Sequence, residues 1–229
     1  MFHQDSEIEE DKSIFDILPL EVVKIHIVAR AAASSSDNLF YLSQCCKTLH
    51  EISNDPSVLK RVSLDKFYPV AWKQEEKNFL QRCTNAENPE ALYRTGMSQY
   101  FGIVDGGTGM QNLETAMNSG HLGGKYALGI ILLLQGGVYK LDGMEMILSM
   151  KKTSTATDLE EIRKSFLGII KGLWIRNTMI VRQKMPQCCT KHPTDSAGWD
   201  GVKEVDLQCE DCSCDQELVH LWKVLPNPI

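Results

Sequence analysis

One segment of the sequence repeats with a period of 33 to 34 residues, and this repeat constrains the fold more than any other feature. ALYRTG at residues 91–96 matches GKYALG at residues 124–129 in its Tyr and Gly, so Gly96 and Gly129 are 33 residues apart. GMQNL at Gly109 matches GMEMI at Gly143, 34 residues later. A period near ~34 residues is typical of tetratricopeptide-type helical pairs. The sequence therefore predicts stacked antiparallel helix–turn–helix units, capped by neighbouring segments because two copies are fewer than the ~3 a free solenoid needs.

Residues typical of helix starts and helix ends also support the prediction of paired helices in the repeat region. Asn88 is predicted to cap a helix that opens with Pro89, and Gly120 and Gly136 are predicted to end the two helices that follow. A further amphipathic helix is expected from residue 159, capped by Asp158, because apolar residues recur there at helical spacing.

Shorter amphipathic helices are predicted ahead of the repeats. Pro19 suits a first helical turn, and apolar residues at spacings of three and four predict a stripe along that helix, formed by Leu18, Val22, Ile25 and Ala29. The segment AAASSS, residues 31–36, is predicted to connect it to a second helix capped by Asp37. That second helix is expected to run through Leu39, Leu42, Cys46, Leu49 and Ile52. Asp55-Pro56 predicts the start of a third, short helix.

Charge and hydropathy exclude several classes of partner. The net charge is −6 and no basic run with interleaved aromatic residues occurs, which argues against nucleic acid. The most apolar run, residues 127–134, is far shorter than the ~20 residues of a membrane-spanning helix. The acidic stretch 1–16 is predicted to be a disordered leader and lacks the apolar region of a secretory signal. We therefore expect no membrane partner, a location in the nucleus or cytoplasm, and mostly reduced cysteines.

The sequence also lacks the motifs of common enzymes. The glycine-containing stretch GIVDGGTG, residues 102–109, is not followed by the Lys and Ser/Thr of a phosphate-binding loop, and it is predicted to be a turn between helices. The six histidines are scattered, and neither a nucleophile elbow nor a zinc-protease motif is present. We predict that the chain is not an enzyme; a zinc-dependent or redox enzyme would need a His/Glu partner near the cysteines.

The cysteine cluster CEDCSCD, residues 209–215, raises the question of a metal site. Cys209 and Cys212 have the spacing of a zinc-ligand pair, and a second pair could come from Cys188 and Cys189, or from Cys214 with His192 or His220. Cysteines also bury readily as small apolar residues. The sequence thus leaves two alternatives, a structural zinc site or reduced and partly buried thiols, and it requires no other cofactor.

Residues 17–52 resemble an F-box. Leu18-Pro19 opens an amphipathic helix containing Val22, Ile25, Ile27 and Val28, and LSQCCKTL, residues 42–49, resembles the Leu-Ser-x-x-Cys-Lys-x-Leu of the family. The stretches NPEALYRTGM, SGHLGGKYALGIILL and CEDCSCDQEL are similar to plant F-box proteins with Sel-type, tetratricopeptide-like repeats and a Cys-rich tail. Within this pattern Gly124 stands where the family has Ala.

This resemblance implies an all-α chain with the following domains. A leader (1–16) precedes a three-helix F-box (17–62), Sel-type helical repeats (63–150), a further helix (151–184) and an irregular, loop-rich Cys-containing tail (185–229).

The resemblance also implies a function. The chain is expected to be a substrate-recruiting subunit of a cullin-based (SCF-type) ubiquitin ligase that presents a target protein on its repeats. The F-box is expected to bind the Skp adaptor through Leu18, Pro19, Val22, Ile25, Leu39 and Leu42. Leu49 stands where many F-boxes have Trp, and AAASSS replaces their Pro-containing turn. These departures keep open the alternative of a helical-repeat scaffold without ligase coupling.

Overall fold

The computed structural model describes residues 17–102, 106–175 and 209–225, and these residues form helices and loops without a strand. The all-α class predicted from the sequence is confirmed. The chain divides into two compact units, Met1–Lys66 and Phe67–Ile229. None of the helices within the described residues is long and apolar enough to cross a membrane. The predicted leader, residues 1–16, lies outside the described residues.

Within the described residues, the first unit contains four helices. Helix α1 runs through three consecutive stretches, Leu20–Val22, the π-helical Val23–Val28 and Ala29–Ser34. Helices α2 (Ser36–Cys45), α3 (Lys47–Ser53) and α4 (Pro56–Leu59) follow. Asp55 caps α4 as predicted, because its side chain accepts a hydrogen bond from the amide of Ser57.

The helix boundaries in this unit correct three predictions. Residues 31–34 of AAASSS continue α1, and only Ser35 separates it from α2. Ser35, and not Asp37, is the N-cap of α2, since its hydroxyl oxygen accepts from the amide of Asp37. The predicted single helix from Leu39 to Ile52 is two helices, because the extended backbone of Cys46 (φ −159°, ψ 167°) ends α2 and begins α3.

The π-helical stretch changes which residues of α1 are buried. The amide of Ala29 donates to the carbonyl oxygen of Lys24, five residues earlier, which widens the turn. Two residues five apart point roughly 140° away from each other on an α-helix but lie close to one line on a π-helix. Val23 and Val28 are therefore both buried. The predicted stripe assumed α-helical spacing throughout, and of its members Ala29 is buried whereas Val22 and Ile25 are exposed.

The second unit contains seven longer helices within the described residues. They are α5 (Gln74–Asn85), α6 (Pro89–Phe101), α7 (Gly106–Asn118), α8 (Leu122–Gln135), α9 (Lys140–Thr153), α10 (Ala156–Gly172) and α11 (Glu210–Trp222). Asn88 caps α6 with Pro89 in its first turn, as predicted. Thr155 is the N-cap of α10, and Asp158, predicted for that role, instead completes a capping box with it.

The predicted repeat appears in the structure as two matching helix crossings. A Cβ atom added to Gly109 of α7 would lie 2.8 Å from the amide nitrogen of Tyr100 and 3.0 Å from the carbonyl oxygen of Gly96. A Cβ atom added to Gly143 of α9 would lie 2.8 Å from the amide nitrogen of Leu133 and 2.9 Å from the carbonyl oxygen of Gly129. Both pairs, α6 with α7 and α8 with α9, are antiparallel and approach backbone to backbone, which requires glycine.

Helices α10 and α11 belong to the same core as the repeats. Phe166 of α10 makes edge-on contacts with Phe101 of α6 and Tyr126 of α8, with ring centroids 5.8 and 5.3 Å apart. Leu218 and Leu221 of α11 join this core. The prediction that residues 185–229 form an irregular tail is therefore wrong for Glu210–Trp222, which is a helix. Cys212 and Cys214 lie within this helix, where they are buried as small apolar residues.

Candidate docking surface

Apolar side chains of α1 face the solvent on the first unit. Val22 and Ile25 are 37% and 38% exposed, Pro19 is exposed and Leu18 is half-buried. Four of the six residues predicted to bind an adaptor thus lie at the start of one helix. We call Leu18, Pro19, Val22 and Ile25, together with the exposed Ile17 and Leu20, the α1 surface.

The two predicted docking residues of α2 are placed differently. Leu39 is 2% exposed and, with Ser36 three residues earlier, forms the buried face of α2. It therefore stabilises the unit and is not available to a partner. Leu42 is half-buried, three residues further along the helix.

Further exposed apolar residues were missed by the sequence reasoning. Ile17 and Leu20 flank the Leu18-Pro19 pair and are 66% and 52% exposed, and Ile27 and Tyr41 are also exposed. The position of Ile17 and Leu20 beside Leu18-Pro19 was a usable signal. Contiguous exposed apolar residues on a small unit indicate an interaction site, whereas isolated ones need no explanation.

One charged contact adjoins the α1 surface. The ammonium group of Lys24 lies 2.8 Å from Glu21 and 3.2 Å from the Oδ2 atom of Asp55. Hydrogen bonds to Glu21 and Asp55 raise the pKa of Lys24. Hydrogen bonds from Ser57 and the charge of Lys24 lower the pKa of Asp55. Both groups are charged at neutral pH, so the contact is an ion pair between α1 and the N-cap of α4.

The second unit contains a polar junction at the start of its first repeat. The Nδ1 atom of His121 accepts from the amide of Gly124 at 3.0 Å and so caps α8. The Nε2 atom therefore carries the hydrogen, and it donates to Glu90 at 2.7 Å. Arg94 also donates to Glu90, and to the carbonyl oxygens of Phe67 and Tyr68. Burial alone would raise the pKa of Glu90, but its bonds to His121 and Arg94 lower it. The junction ties α6 to α8 and to the segment before α5.

A buried charge cluster attaches α11 to three other helices. Glu217 is 1% exposed and lies 2.9 Å from both Arg163 of α10 and Lys151 of α9. The hydroxyl of Tyr126 on α8 donates to it at 2.8 Å. Burial opposes the charged carboxylate, but the bonds and charges of Arg163 and Lys151 lower the pKa of Glu217 to about 2. The carboxylate is thus an ionised structural group that holds the Cys-rich segment against the repeats.

The cysteines of α11 are placed as packing residues. Cys212 and Cys214 are buried, Cys209 is half-buried, and burial raises the pKa of the Cys214 thiol to about 12. Within the described residues, no three or more His, Cys, Asp or Glu side chains are grouped so that they could hold a metal ion. The possible partners Cys188, Cys189 and His192 lie outside those residues. Zinc at Cys209 and Cys212 stays a prediction, which metal analysis of the purified protein tests.

Comparison with known proteins agrees with this architecture. The plant tetratrico peptide repeat family matches residues 65–171, which extend from before α5 into the last turn of α10. The second unit is therefore a helical-repeat unit of the tetratricopeptide class. No solved structure matches this chain.

Three proteins of Arabidopsis thaliana with similar sequences are named as F-box proteins. At1g67623 is 30% identical over 188 residues, which are 79% of this chain and 63% of that protein. At5g50450 is 30% identical over 117 residues (50% and 34%), and At1g67340 is 28% identical over 133 residues (56% and 35%). The chain thus spans less than two thirds of the length of each. Together with the repeat match, these relatives confirm the predicted resemblance to plant F-box proteins with helical repeats.

Proposed function

We propose that this protein recruits targets to a cullin-based ubiquitin ligase of the SCF type. Its first unit docks on a Skp-type adaptor, and its helical repeats hold a target protein that the other subunits of the ligase modify. The chain itself performs no bond chemistry in this role, which it carries out in the nucleus or the cytoplasm. The observation that carries the proposal is the α1 surface, the group of exposed apolar residues at the start of α1 on the unit that resembles an F-box.

The α1 surface can supply the binding free energy that docking needs. Burying a side chain such as Val, Ile or Leu contributes roughly 1.5–3 kcal/mol before the costs of association. Val22 and Ile25 are each a little more than one third exposed, so each contributes less than this full value, whereas Ile17 and Leu20 expose over half of their surface. We propose Leu18, Pro19, Leu20, Val22 and Ile25 as the main contacts, with Leu42 beside them.

A double variant, Leu18→Ala with Pro19→Ala, tests the proposal. We expect it to lose co-purification with a Skp-type adaptor while its helicity, measured by circular dichroism, stays that of the wild type. Leu122→Ala is the matched control, because Leu122 is an exposed leucine of the second unit and is 49% exposed. Undiminished adaptor binding by the double variant contradicts the proposed docking site. A wild-type chain that binds no adaptor is instead a repeat scaffold without ligase coupling.

A further inference from the structure

The π-helical stretch of α1 determines which apolar side chains form the α1 surface. Val23 and Val28 are 2% and 0% exposed, so both point into the core of the first unit. On a regular α-helix these two side chains would point roughly 140° apart. If the stretch tightened to α-helical spacing, keeping Val28 buried would turn Val23 outwards and would rotate the preceding residues of the helix with it. The exposed positions of Val22, Leu20 and Pro19 therefore depend on the wide turn.

Lys24 takes part in the π-helical stretch through its backbone. Its carbonyl oxygen accepts the amide of Ala29, five residues later, in the hydrogen bond at the end of the stretch. Its side chain reaches away from α1 to the Oδ2 atom of Asp55 at 3.2 Å and is mostly covered, with 19% of the side chain exposed. Lys24 thus takes part in the π-helical turn through its backbone and contacts the N-cap of α4 through its side chain.

Asp55 is held rigidly on the other side of this contact. Its Oδ1 atom accepts from the amide of Ser57 at 2.8 Å and from the hydroxyl of Ser57 at 2.6 Å, which caps α4. The first helical turn after it buries Val58 and Leu59 in the core of the unit. Besides its 2.8 Å contact with the exposed Glu21, Lys24 thus contacts a carboxylate that is fixed in the N-cap of α4.

We propose that Lys24, through its ion pair with Asp55, is a positioning residue for adaptor docking: it holds the π-helical turn that directs Val22 and Ile25 towards the partner. This inference rests on the proposed function. Lys24 acts through the orientation of its neighbours and does not itself supply the apolar contact. The orientation of the α1 surface would in this way depend on α4, although α4 (Pro56–Leu59) contributes no residue to that surface.

The test compares the affinity of a purified Skp-type adaptor for four single variants of the full chain and for the double variant Lys24→Met with Asp55→Ser. Lys24→Met removes the ammonium group, and Asp55→Ser removes its partner while keeping a good N-cap for α4, since Ser caps about as well as Asp. Lys24→Arg keeps the charge. Lys47→Met is the control, because Lys47 is exposed and forms only a 3.9 Å contact with Glu51. Circular dichroism and thermal unfolding are recorded for each.

We expect Lys24→Met and Asp55→Ser each to raise Kd for the adaptor about tenfold, within the ~5- to 150-fold range usual for coupled sites. The two changes combined should raise it no further, and Lys24→Arg and Lys47→Met should leave it unchanged. A purely structural role would lower the unfolding temperature without changing Kd of the folded protein, and this outcome overturns the inference. So does a loss of affinity in Lys24→Met alone, which would indicate direct contact, or a failure of both variants to fold. In each of these cases adaptor binding by the wild type still supports the proposed function, whereas a wild type that does not bind overturns both.

Discussion

Glu217 shows how a single residue can attach a whole helix. It is a buried carboxylate that faces two cationic side chains and a phenol, each on a different helix. Removing one partner of a buried ion pair costs about 3–5 kcal/mol, because the remaining charges stay buried without compensation. We therefore expect α11 to stay packed against the repeats only while the Glu217 carboxylate is ionised.

The lowered pKa of Glu217 predicts an acid-sensitive stability. Its folded-state pKa is about 2, against an ordinary value of 4.5. Its ionised form therefore stabilises the fold at any pH above about 4.5, by about 3 kcal/mol, and this contribution is lost as the pH falls from about 4.5 towards 2. Urea unfolding at pH 7 and pH 3 measures the loss. We expect Glu217→Gln to lower the free energy of unfolding at pH 7 by about 3 kcal/mol and to reduce the difference between the two pH values.

Glu160→Gln is the control for this measurement, since Glu160 forms an exposed pair with Lys164 on the same helix. It should unfold like the wild type at both pH values. Equal stability of Glu217→Gln and wild type at pH 7 would show that the cluster contributes no net stability.

At the scale of helices, the closest approach in each repeat depends on glycines, which have no side chain. Gly109 and Gly143 occupy equivalent positions, and a Cβ atom on either would collide with backbone atoms that cannot rotate away. Gly168 of α10 provides the opposite case, because a Cβ atom there would meet nothing within 4 Å.

Alanine substitutions at these glycines should therefore differ in sign. We expect Gly109→Ala and Gly143→Ala each to lower the free energy of unfolding by about 1–3 kcal/mol through overpacking. Gly168→Ala should raise it by about 0.5–1 kcal/mol, because alanine favours a helix over glycine. Chemical denaturation of the three variants measures the difference. A stabilising effect of Gly109→Ala would mean that α6 and α7 are not in backbone contact.

The repeat helices were predictable from the sequence because their signals are local. Spaced glycines, the Asn88-Pro89 start and the stops at Gly120 and Gly136 each depend on residues a few positions apart. The π-helical turn of α1 was not predictable in this way, since it results from burying Val23 and Val28 together against the rest of the first unit. For the same reason the sequence placed Leu39 on the docking surface, although its own helix turns it inwards.

At the scale of the whole chain, the repeat unit extends beyond the segment that sequence comparison recognises. The family match ends at residue 171, whereas α11 begins at Glu210 and contributes Leu218 and Leu221 to the core. The sequence reasoning missed this helix because the tail contains Pro, Gly and cysteines and shows no clear helical period. Its contacts are far away in the sequence: Tyr126 and Glu217 are 91 residues apart.

Truncation after residue 175 is therefore expected to damage the second unit. It removes α11, exposes the apolar residues that α11 covers, and leaves Arg163 and Lys151 without Glu217. We expect the truncated chain to lose its cooperative unfolding transition or to aggregate, as followed by thermal denaturation and size-exclusion chromatography. A fragment of residues 67–229 is the control and should unfold cooperatively, because its core lies within one compact unit. Cooperative unfolding of the truncated chain at the wild-type temperature would show that α11 is dispensable.

The position of α11 in the chain has a consequence for biosynthesis. Chains are made from the N-terminus, and early units can fold while later residues are still being added. The first unit can do so, but the second unit cannot complete its charge cluster until Glu217 has left the ribosome. Until then Arg163, Lys151 and Tyr126 lack the carboxylate that they share, so we expect the second unit to reach its full stability only late in synthesis.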